Sequence, residues 1–257
     1  EINKKNINVL DIVEIERAGD VIPYVTKLIK KNIKSKTKID PPIKCPVCNS
    51  PTIKETDEAI LRCSNRYGCY SQILGQIIHF ISKKSLNIEG FGEKQAKQFY
   101  DLNFIKNIED IFYIEKFKKE IIELDGWGIL SFENLIRSIN NSKKISLEKF
   151  IYSLGIRYIG EVNSEILAEE FKDIKNMIKK INIKENLENI DGLGPKATFA
   201  IIDFFSNQKN MDMLKNLQKI LKVKKIEKFS ENNFFTNKHL VFSGTLSTLS
   251  RDEAKYL

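Results

Sequence analysis

The pattern of apolar and polar residues predicts two strands near the start of the chain and a long helical region after them. Residues 9–25 read "VLDIVEIERAGDVIPYV", in which apolar and polar positions alternate before and after a Gly-Asp pair. A period of two is typical of strands, so this segment predicts two strands of a small β unit. One face of the first strand would carry Ile12, Glu14 and Glu16, and the other face would carry Val13 and Ile15. Too few strands are present to close a barrel, which predicts a piece of a larger domain.

Four glycine-bearing turns recur after residue 87, each flanked by helical patterns. They are "NIEGFGEKQAKQF" (87–99), "ELDGWGILSFENLI" (123–136), "SLGIRYIGEVNSEIL" (153–167) and "NIDGLGPKATFAII" (189–202). The steps between their last glycines are 36, 32 and 34 residues, for Gly92, Gly128, Gly160 and Gly194. Helical solenoids share such a period, but apolar positions along helices define those repeats. A repeated turn favours the helix-hairpin-helix motif instead.

The chemistry of these turns suits a phosphate group. Glycine lets the backbone approach another surface closely, and the free N–H groups that open the next helix attract an anion. Contacts of this kind hold the sugar–phosphate strand without reading its bases. The candidate DNA-binding residues are therefore the turn glycines and nearby cations, namely Lys83, Lys84, Gly90, Gly92, Lys94, Lys97, Gly126, Gly128, Gly155, Arg157, Gly160, Gly192, Gly194 and Lys196.

The second and third turns depart from the common pattern. In "LGIRYIG" four residues separate Gly155 from Gly160, which predicts a longer hairpin in which Arg157 offers the charge. The second turn has no lysine nearby, and its Trp127 is interpreted as a plug in the core. The first, third and fourth turns are thus the stronger candidates for phosphate contact.

All four cysteines of the chain lie between residues 45 and 69. Cys45 and Cys48 are separated by two residues, and Cys63 and Cys69 by five. The first spacing lets one tight knuckle offer both sulfurs to one ion, and Gly68 is expected to take the backbone angle that turns the last sulfur inward. Four thiolates fit tetrahedral zinc in a closed structural site.

Three other uses of these thiols compete with zinc. Two disulfides would need an oxidising compartment, which nothing in the chain indicates. A redox Cys-x-x-Cys would not need the second pair, and ferredoxin-type clusters place three cysteines closer together. The two histidines, His79 and His239, lie among apolar residues and are interpreted as packing residues rather than ligands.

The net charge of +8 and the pI near 9.1 favour a polyanionic partner. No apolar run approaches the roughly 20 residues that span a bilayer, and the opening residues lack the apolar core that is typical of a signal peptide. At the other end, "HLVFSGTLSTLSRDEAKYL" (239–257) predicts a strand, a Gly-Thr pair and a helix capped by Ser250. Because the chain stops inside that helix, we expect both ends to belong to larger domains.

In this order the segments resemble the C-terminal half of bacterial NAD-dependent DNA ligase. "ERAGDVIP" (16–23) is similar to the end of its OB-fold, and "CPVC" with the spacings above is similar to its zinc finger. "HFISKKSLNIEGFGEK" (79–94) and "SLGIRYIGE" (153–161) resemble its hairpins, and "LVFSGTLSTLSRDEAK" (240–255) the opening of its BRCT domain. Lys83 stands where the family usually has arginine. Leu10 stands where it commonly has glycine, so that turn is expected to differ.

The resemblance implies a multi-domain, mainly α fold with a short β segment. The implied parts are an OB-fold tail (1–32), a four-cysteine zinc finger (40–72), a domain of four helix-hairpin-helix motifs (73–225) and a truncated α/β BRCT start (235–257). The implied partner is nicked double-stranded DNA, and the chain is expected to bind it as a monomer. The implied location is the bacterial cytoplasm, in association with the nucleoid, and no membrane partner is implied.

The resemblance also implies an activity for the parent enzyme, which seals nicks between a 5′-phosphate and a 3′-hydroxyl. NAD adenylates a lysine, AMP passes to the 5′-phosphate, and the 3′-hydroxyl displaces AMP with magnesium assistance. The lysine lies in a Lys-x-Asp-Gly motif, and no such string occurs here. Zinc is therefore the expected cofactor of this chain, while NAD and magnesium belong to the absent adenylation part. The chain alone is predicted to be inactive.

Two other functions stay open at the level of sequence. Lys196 occupies a place like that of the Schiff-base lysine of helix-hairpin-helix DNA glycosylases, with Asp212 as its candidate partner. Such enzymes usually carry one hairpin and differently spaced cysteines. A DNA-binding protein without enzymatic activity would fit the same zinc and hairpin pattern.

Overall fold

The computed structural model describes residues 2, 4–18, 22–32, 39–54, 58, 60–181 and 184–226. Within it the chain forms two compact units, one through Gly75 and one that begins at Gln76. The described residues are mainly helical with short strands, as the sequence predicts. The segment predicted to open a BRCT domain, with His239 and Ser250, lies outside the described residues.

The first unit contains the two strands predicted near the start of the chain. Strands β1 (Ile12–Ala18) and β2 (Ile22–Lys30) pair in an antiparallel ribbon. The register shifts between Ile12 and Val13 and again between Glu14 and Ile15. Such bulges interrupt the simple alternation of faces, and both Ile12 and Ile15 are more than half exposed. Membership of an OB-fold stays a prediction.

The turn before β1 places Leu10 in a backbone conformation that glycine adopts more readily than leucine does. Leu10 has a φ of 69°, in the left-handed region. The Asp11 carboxylate accepts the backbone N–H groups of Asn8 and Asn32, each at 2.8 Å. These hydrogen bonds, with that of Asn32 first, lower the Asp11 pKa. They bind the turn from two sides and hold Leu10 in place.

A second antiparallel ribbon follows, made of β3 (Thr52–Lys54) and β4 (Leu61–Cys63). Helix α1 (Tyr70–Ile81) begins directly after Cys69. The amides of Gln72 and Ile73 both donate to the Cys69 carbonyl at 3.0 Å, so the last cysteine is fixed by the start of the helix.

The second unit is a set of short helices. They are α2 (Glu93–Asp101), a 3-10 helix (Glu109–Phe117), α3 (Lys118–Ile122), α4 (Ile129–Ser142), α5 (Leu147–Ser153), α6 (Glu161–Phe171), α7 (Ile174–Lys180), α8 (Lys184–Glu188), α9 (Pro195–Ser206) and α10 (Gln208–Ile220). A parallel pair, β5 (Lys144–Ser146) and β6 (Lys222–Lys224), joins the middle of the unit to its end. None of the helices in the described part is long and apolar enough to cross a bilayer.

Phenylalanines occupy the centre of this unit. Phe80, Phe99, Phe132, Phe150 and Phe171 are each less than 2% exposed. Burying such a ring contributes on the order of 1.5–3 kcal/mol. Because these rings come from helices before and after the turns, the core holds the turns in position.

Candidate nucleic-acid interface and metal centre

The four hairpin turns share one hydrogen-bond pattern. Each is a five-residue segment, which we number turn 1 (88–92), turn 2 (124–128), turn 3 (156–160) and turn 4 (190–194). The N–H of the fourth residue donates to the carbonyl of the first at 3.2, 3.0, 3.0 and 3.2 Å, in the pairs Phe91 to Ile88, Trp127 to Leu124, Ile159 to Ile156 and Leu193 to Ile190. The repeat inferred from glycines is therefore a repeat of backbone geometry.

The fourth and fifth residues of each turn have the same structural roles in all four turns. The fourth residue is an apolar plug, and Phe91, Ile159 and Leu193 are all buried. The fifth is a glycine that caps the next helix: its carbonyl accepts a helical N–H at 2.9–3.1 Å in every turn. The helices thus open at the turns, where their first N–H groups have no partner within the helix.

Trp127, the plug of turn 2, packs against helix α2. Its ring lies 5.0 Å from that of Phe99, and its Nε1–H donates to Gln98 Oε1 at 3.1 Å. The interpretation of Trp127 as a plug is therefore confirmed. The hydrogen bond to Gln98 explains how a half-buried indole N–H is satisfied.

The expectation of a longer third hairpin is wrong. Turn 3 has the same length as the others, and its left-handed third position is Tyr158, with a φ of 64°. Glycines with φ of 78°, 78° and 84° stand there in the other turns, as Gly90, Gly126 and Gly192. Gly155 lies before the turn, where its N–H donates to the Tyr152 carbonyl at 3.1 Å and ends helix α5.

The Gly-x-Gly pattern does not identify Tyr158 as the third residue of turn 3, because Tyr158 stands where that pattern requires a glycine. Aligning the turns on their apolar fourth residue and their final glycine, instead of on the first glycine, would have placed Tyr158 at the third position. A bulky residue is uncommon in the left-handed region, so composition alone does not point to it.

The second residue after each capping glycine divides the turns into two pairs. Turns 1 and 4 expose a lysine there, Lys94 and Lys196. Turns 2 and 3 expose an apolar side chain, Leu130 and Val162, which are 71% and 67% exposed. The structure therefore offers a cationic tip at two turns and an apolar tip at two others.

Two of the other candidate lysines are held by acidic groups. Lys84 Nζ lies 2.5 Å from Glu161 Oε1, and Lys97 Nζ lies 2.9 Å from Asp101 Oδ2. The hydrogen bond and charge of Glu161 raise the pKa of Lys84. Lys83 is exposed, and Arg157 is half-buried with its guanidinium 4.8 Å from the Tyr158 ring centre.

His79 packs within the second unit, as the sequence predicts. Its Nε2 lies 2.8 Å from the Tyr152 carbonyl, and the two rings are 4.8 Å apart. A Cβ added to Gly155 would meet the His79 ring at 3.4 Å. His79 is therefore a structural neighbour of turn 3.

A cleft of about 2030 Å³ lies beside turns 1 and 2. Its walls carry both signs of charge, since Arg137, Lys149, Glu165 and Glu169 all line it. Because a mixed lining does not concentrate positive potential, the turn tips are better candidates for DNA contact than this cleft.

The four cysteines form one cluster in the first unit. All four Sγ atoms lie within 4.8 Å of one another, with 3.4 Å between Cys48 and Cys63 and 4.0 Å between Cys45 and Cys69. A tetrahedral zinc with Zn–S bonds near 2.3 Å separates its sulfurs by roughly 3.8 Å. A disulfide would need about 2.05 Å, so the disulfide interpretation is not supported.

Local hydrogen bonds build the cluster. The Asn49 N–H donates to the Cys45 carbonyl at 2.9 Å, which closes the first knuckle. Gly68 does not have a positive φ. The expectation that it takes a backbone angle reserved for glycine, and so turns the Cys69 sulfur inward, is therefore wrong. A Cβ on Gly68 would instead stand 2.7 Å from Asn65 Oδ1, which shows that Gly68 makes room for Asn65.

The thiols of the cluster differ in acidity. Hydrogen bonds from Ser50 lower the pKa of Cys48 to about 6. The Asn65 amide also lowers the pKa of Cys63, but desolvation and the nearby thiols raise it to about 12. Neighbouring thiolates repel one another, and a divalent cation is what allows all four to ionise together.

The cluster of four sulfurs and the four repeated turns together define a protein that combines a four-cysteine finger with helix-hairpin-helix motifs. Sequence comparison gives the same two parts: residues 44–70 match the NAD-dependent DNA ligase C4 zinc finger domain, and residues 149–214 match the helix-hairpin-helix motif.

Curated relatives extend the similarity to the whole chain. The chain is 42% identical to a DNA ligase of Rickettsia bellii and 40% identical to one of Rickettsia prowazekii. Both alignments cover 99% of the present chain. It is 41% identical to a DNA ligase of Pelagibacter ubique over 100% of its residues. The chain spans about 39% of the length of each of these relatives. The chain is therefore similar to DNA ligases over nearly all of its residues, and its four-cysteine segment matches the zinc finger of the NAD-dependent ligases.

The geometry does not favour the glycosylase alternative. Asp212 Oδ1 accepts a hydrogen bond from Gln208 at 2.7 Å and lies 3.5 Å from Lys215 Nζ, and both partners are in its own helix α10. Lys196 is exposed at the start of α9. A Schiff-base lysine needs a desolvated pocket or a cationic neighbour to lower its pKa, and Lys196 has no such burial.

Proposed function

We propose that this chain is the DNA-holding part of an NAD-dependent DNA ligase that seals 5′-phosphate/3′-hydroxyl nicks in duplex DNA. The observation that carries the proposal is the same five-residue turn found four times, each time at the opening of a helix. Similarity to DNA ligases supports the reaction class, and the turns would supply the means of holding the substrate.

The turns would bind the sugar–phosphate strand through backbone N–H groups at the helix starts. Lys94 and Lys196 would add charge at turns 1 and 4, with Lys83 next to turn 1. Such contacts carry no sequence information, so the proposal predicts binding without base preference. Contact by Gly155, Lys84 and Lys97 remains part of the same proposal.

The four cysteines would hold one zinc ion in a structural role. Their sulfurs fit a tetrahedron and leave no position for water, so the ion would brace the fold of the first unit. When bound to the parent enzyme, NAD and magnesium would supply adenylate transfer and charge stabilisation. This chain contains no Lys-x-Asp-Gly string, so we expect it to bind nicked DNA without joining it.

The partner would be nicked double-stranded DNA, bound by a monomer in the cytoplasm of a bacterial cell, where the nucleoid lies. The OB-fold and BRCT assignments of the two ends belong to this proposal as well.

Salt-dependent binding to a labelled nicked duplex tests the proposal. If ~6–8 phosphates are neutralised, log K falls against log salt with a slope of roughly −5 to −7. Duplexes of unrelated sequence should bind equally well. Absence of binding at low salt, or a strong preference for one sequence, would overturn the proposal. A covalent adduct with abasic DNA after borohydride treatment, lost in Lys196→Ala, would point to a glycosylase.

A further inference from the structure

Turn 3 places an aromatic side chain where the other turns have none. Tyr158 stands at the third position with a φ of 64°, and the matching residues of turns 1, 2 and 4 are glycines with φ between 78° and 84°. The hydrogen bond from Ile159 to Ile156, at 3.0 Å, is the same as in the other turns. The backbone thus keeps the shape of the other turns, while the side chain differs.

This placement is unfavourable for the isolated turn and is held by its surroundings. A residue with a Cβ is disfavoured in the left-handed region, whereas glycine enters it freely. The Asn163 side chain donates to the Tyr158 carbonyl at 2.8 Å, which fixes the strained peptide against helix α6. Backbone strain of this kind concentrates at functional sites, so the ring itself needs an explanation.

The Tyr158 ring is partly exposed and lies next to a positive charge. Tyr158 is 37% exposed, and the Arg157 guanidinium lies 4.8 Å from its centre. The nearest acid in sequence, Glu161, is paired with Lys84. Turn 3 therefore presents an aromatic face next to a cation, with the adjacent carboxylate neutralised.

We propose that Tyr158 is a DNA-contact residue, whose ring packs against the sugar or base edge of the strand at turn 3 while Arg157 meets the adjoining phosphate. The proposal rests on the proposed function and adds a residue-level difference between the turns. A glycine at the third position lets the backbone approach the DNA closely. The Tyr158 side chain prevents that approach, so turn 3 meets the strand through its ring.

This contact has an energetic signature distinct from a lysine–phosphate contact. Aromatic packing on a nucleotide does not release a counterion, so it leaves the salt dependence of binding unchanged. Losing one such ring typically weakens binding by about tenfold. The affinity and the salt slope therefore separate a ring contact from a charge contact.

The experiment compares two ring-deletion variants with two controls. Tyr158→Gly restores the residue of the other three turns, and Tyr158→Asn keeps a side chain that tolerates the left-handed region. Tyr158→Phe keeps the ring. Tyr113→Ala removes a tyrosine that is 55% exposed in the 3-10 helix, outside all four turns. Binding of the whole chain to a labelled nicked duplex is measured by anisotropy at several salt concentrations, with melting temperature and zinc content as checks on folding.

We expect Tyr158→Gly and Tyr158→Asn to bind about tenfold more weakly with an unchanged salt slope, and Tyr158→Phe and Tyr113→Ala to bind like the native chain. Native affinity in both ring-deletion variants overturns the inference and leaves the proposed function intact. An equal loss in Tyr113→Ala also overturns it. If the native chain itself does not bind duplex DNA, the proposed function fails and the inference with it.

Discussion

Lys84 and Glu161, 77 residues apart in the chain, form an ion pair with 2.5 Å between Nζ and Oε1. Lys84 precedes turn 1, and Glu161 is the first residue of the helix after turn 3. The two side chains are 63% and 52% exposed, so the pair lies in solvent where a phosphate could compete for the lysine. The structure thus ties one DNA-binding candidate, Lys84, to the start of the helix that follows turn 3.

Removing the carboxylate should release Lys84 for DNA. We expect Glu161→Gln to strengthen binding to a nicked duplex about two- to fivefold at low salt, because an exposed ion pair is weak and its loss frees one cation. Its effect on stability should be small for the same reason. Asp101→Asn, which releases Lys97 within helix α2, is the matched comparison in the anisotropy assay. Unchanged affinity in Glu161→Gln would show that Lys84 does not reach the DNA.

Turn 2 can be converted to the type of turns 1 and 4. We expect Leu130→Lys to steepen the salt slope by about 1 and to raise affinity at low salt, because it places a cation where turn 4 has Lys196. Lys196→Ala should reduce the slope by about 1. Leu130→Ala is the control, since it shortens the side chain without adding charge. A slope that stays the same in Leu130→Lys would mean that turn 2 faces away from the strand.

Ser50 should set the pH at which the metal is released. Its hydrogen bonds lower the pKa of Cys48 to about 6, and a metal ion competes with protons for thiolates. Ser50→Ala should therefore raise the Cys48 pKa and move the midpoint of zinc release to higher pH, as followed with a chromogenic zinc indicator. Cys48→Ser should not hold the ion at neutral pH.

A nearby hydroxyl provides the control for Ser50. Thr52 Oγ1 donates to the Pro42 carbonyl at 2.7 Å rather than to a sulfur. Thr52→Ala should leave the midpoint of zinc release where it is in the native chain. An equal shift in both variants would argue against a specific role for the Ser50 hydroxyl.

Asp173 should stabilise helix α7 in a pH-dependent way. Its carboxylate accepts the Asn176 N–H at 2.8 Å, and this hydrogen bond, aided by Lys225, lowers the Asp173 pKa from the usual value near 3.8. A group with a lowered folded-state pKa stabilises the protein above its unfolded pKa and loses that contribution as the pH falls through the folded value.

We expect Asp173→Ala to destabilise the protein by about 1 kcal/mol at pH 7, or about 2–4 °C in melting temperature. The difference from the native chain should shrink below about pH 4. Asp173→Asn keeps a capping side chain and should cost less, with no such pH dependence. Thermal unfolding followed by circular dichroism from about pH 3 to pH 7 measures both across the window in which the carboxylate titrates. A pH-independent loss in Asp173→Ala would contradict the assignment.

Much of the candidate site could be predicted from sequence because its signals are local. The knuckle at Cys45 and Cys48 and the hairpin turns depend on residues within a few positions of each other. The four cysteines lie within 25 residues of one another in the chain, so their side chains cannot be far apart in space. Their clustering could therefore be predicted from their spacing in the sequence. The turns likewise needed a glycine, a buried plug and a helix start, all close together along the chain.

The sequence by itself determined the four-sulfur cluster, its place before the turns and the number of turns, because short-range backbone geometry depends on neighbouring residues. Only the tertiary structure decided that turn 3 has the common length, that Tyr158 takes the place of a glycine and that Lys84 meets Glu161. Those outcomes depend on contacts beyond the turn itself, such as Asn163 on the Tyr158 carbonyl and the start of α6 against the segment before turn 1. Packing energy can hold a residue in a conformation that its own preference opposes, and no local pattern records that balance.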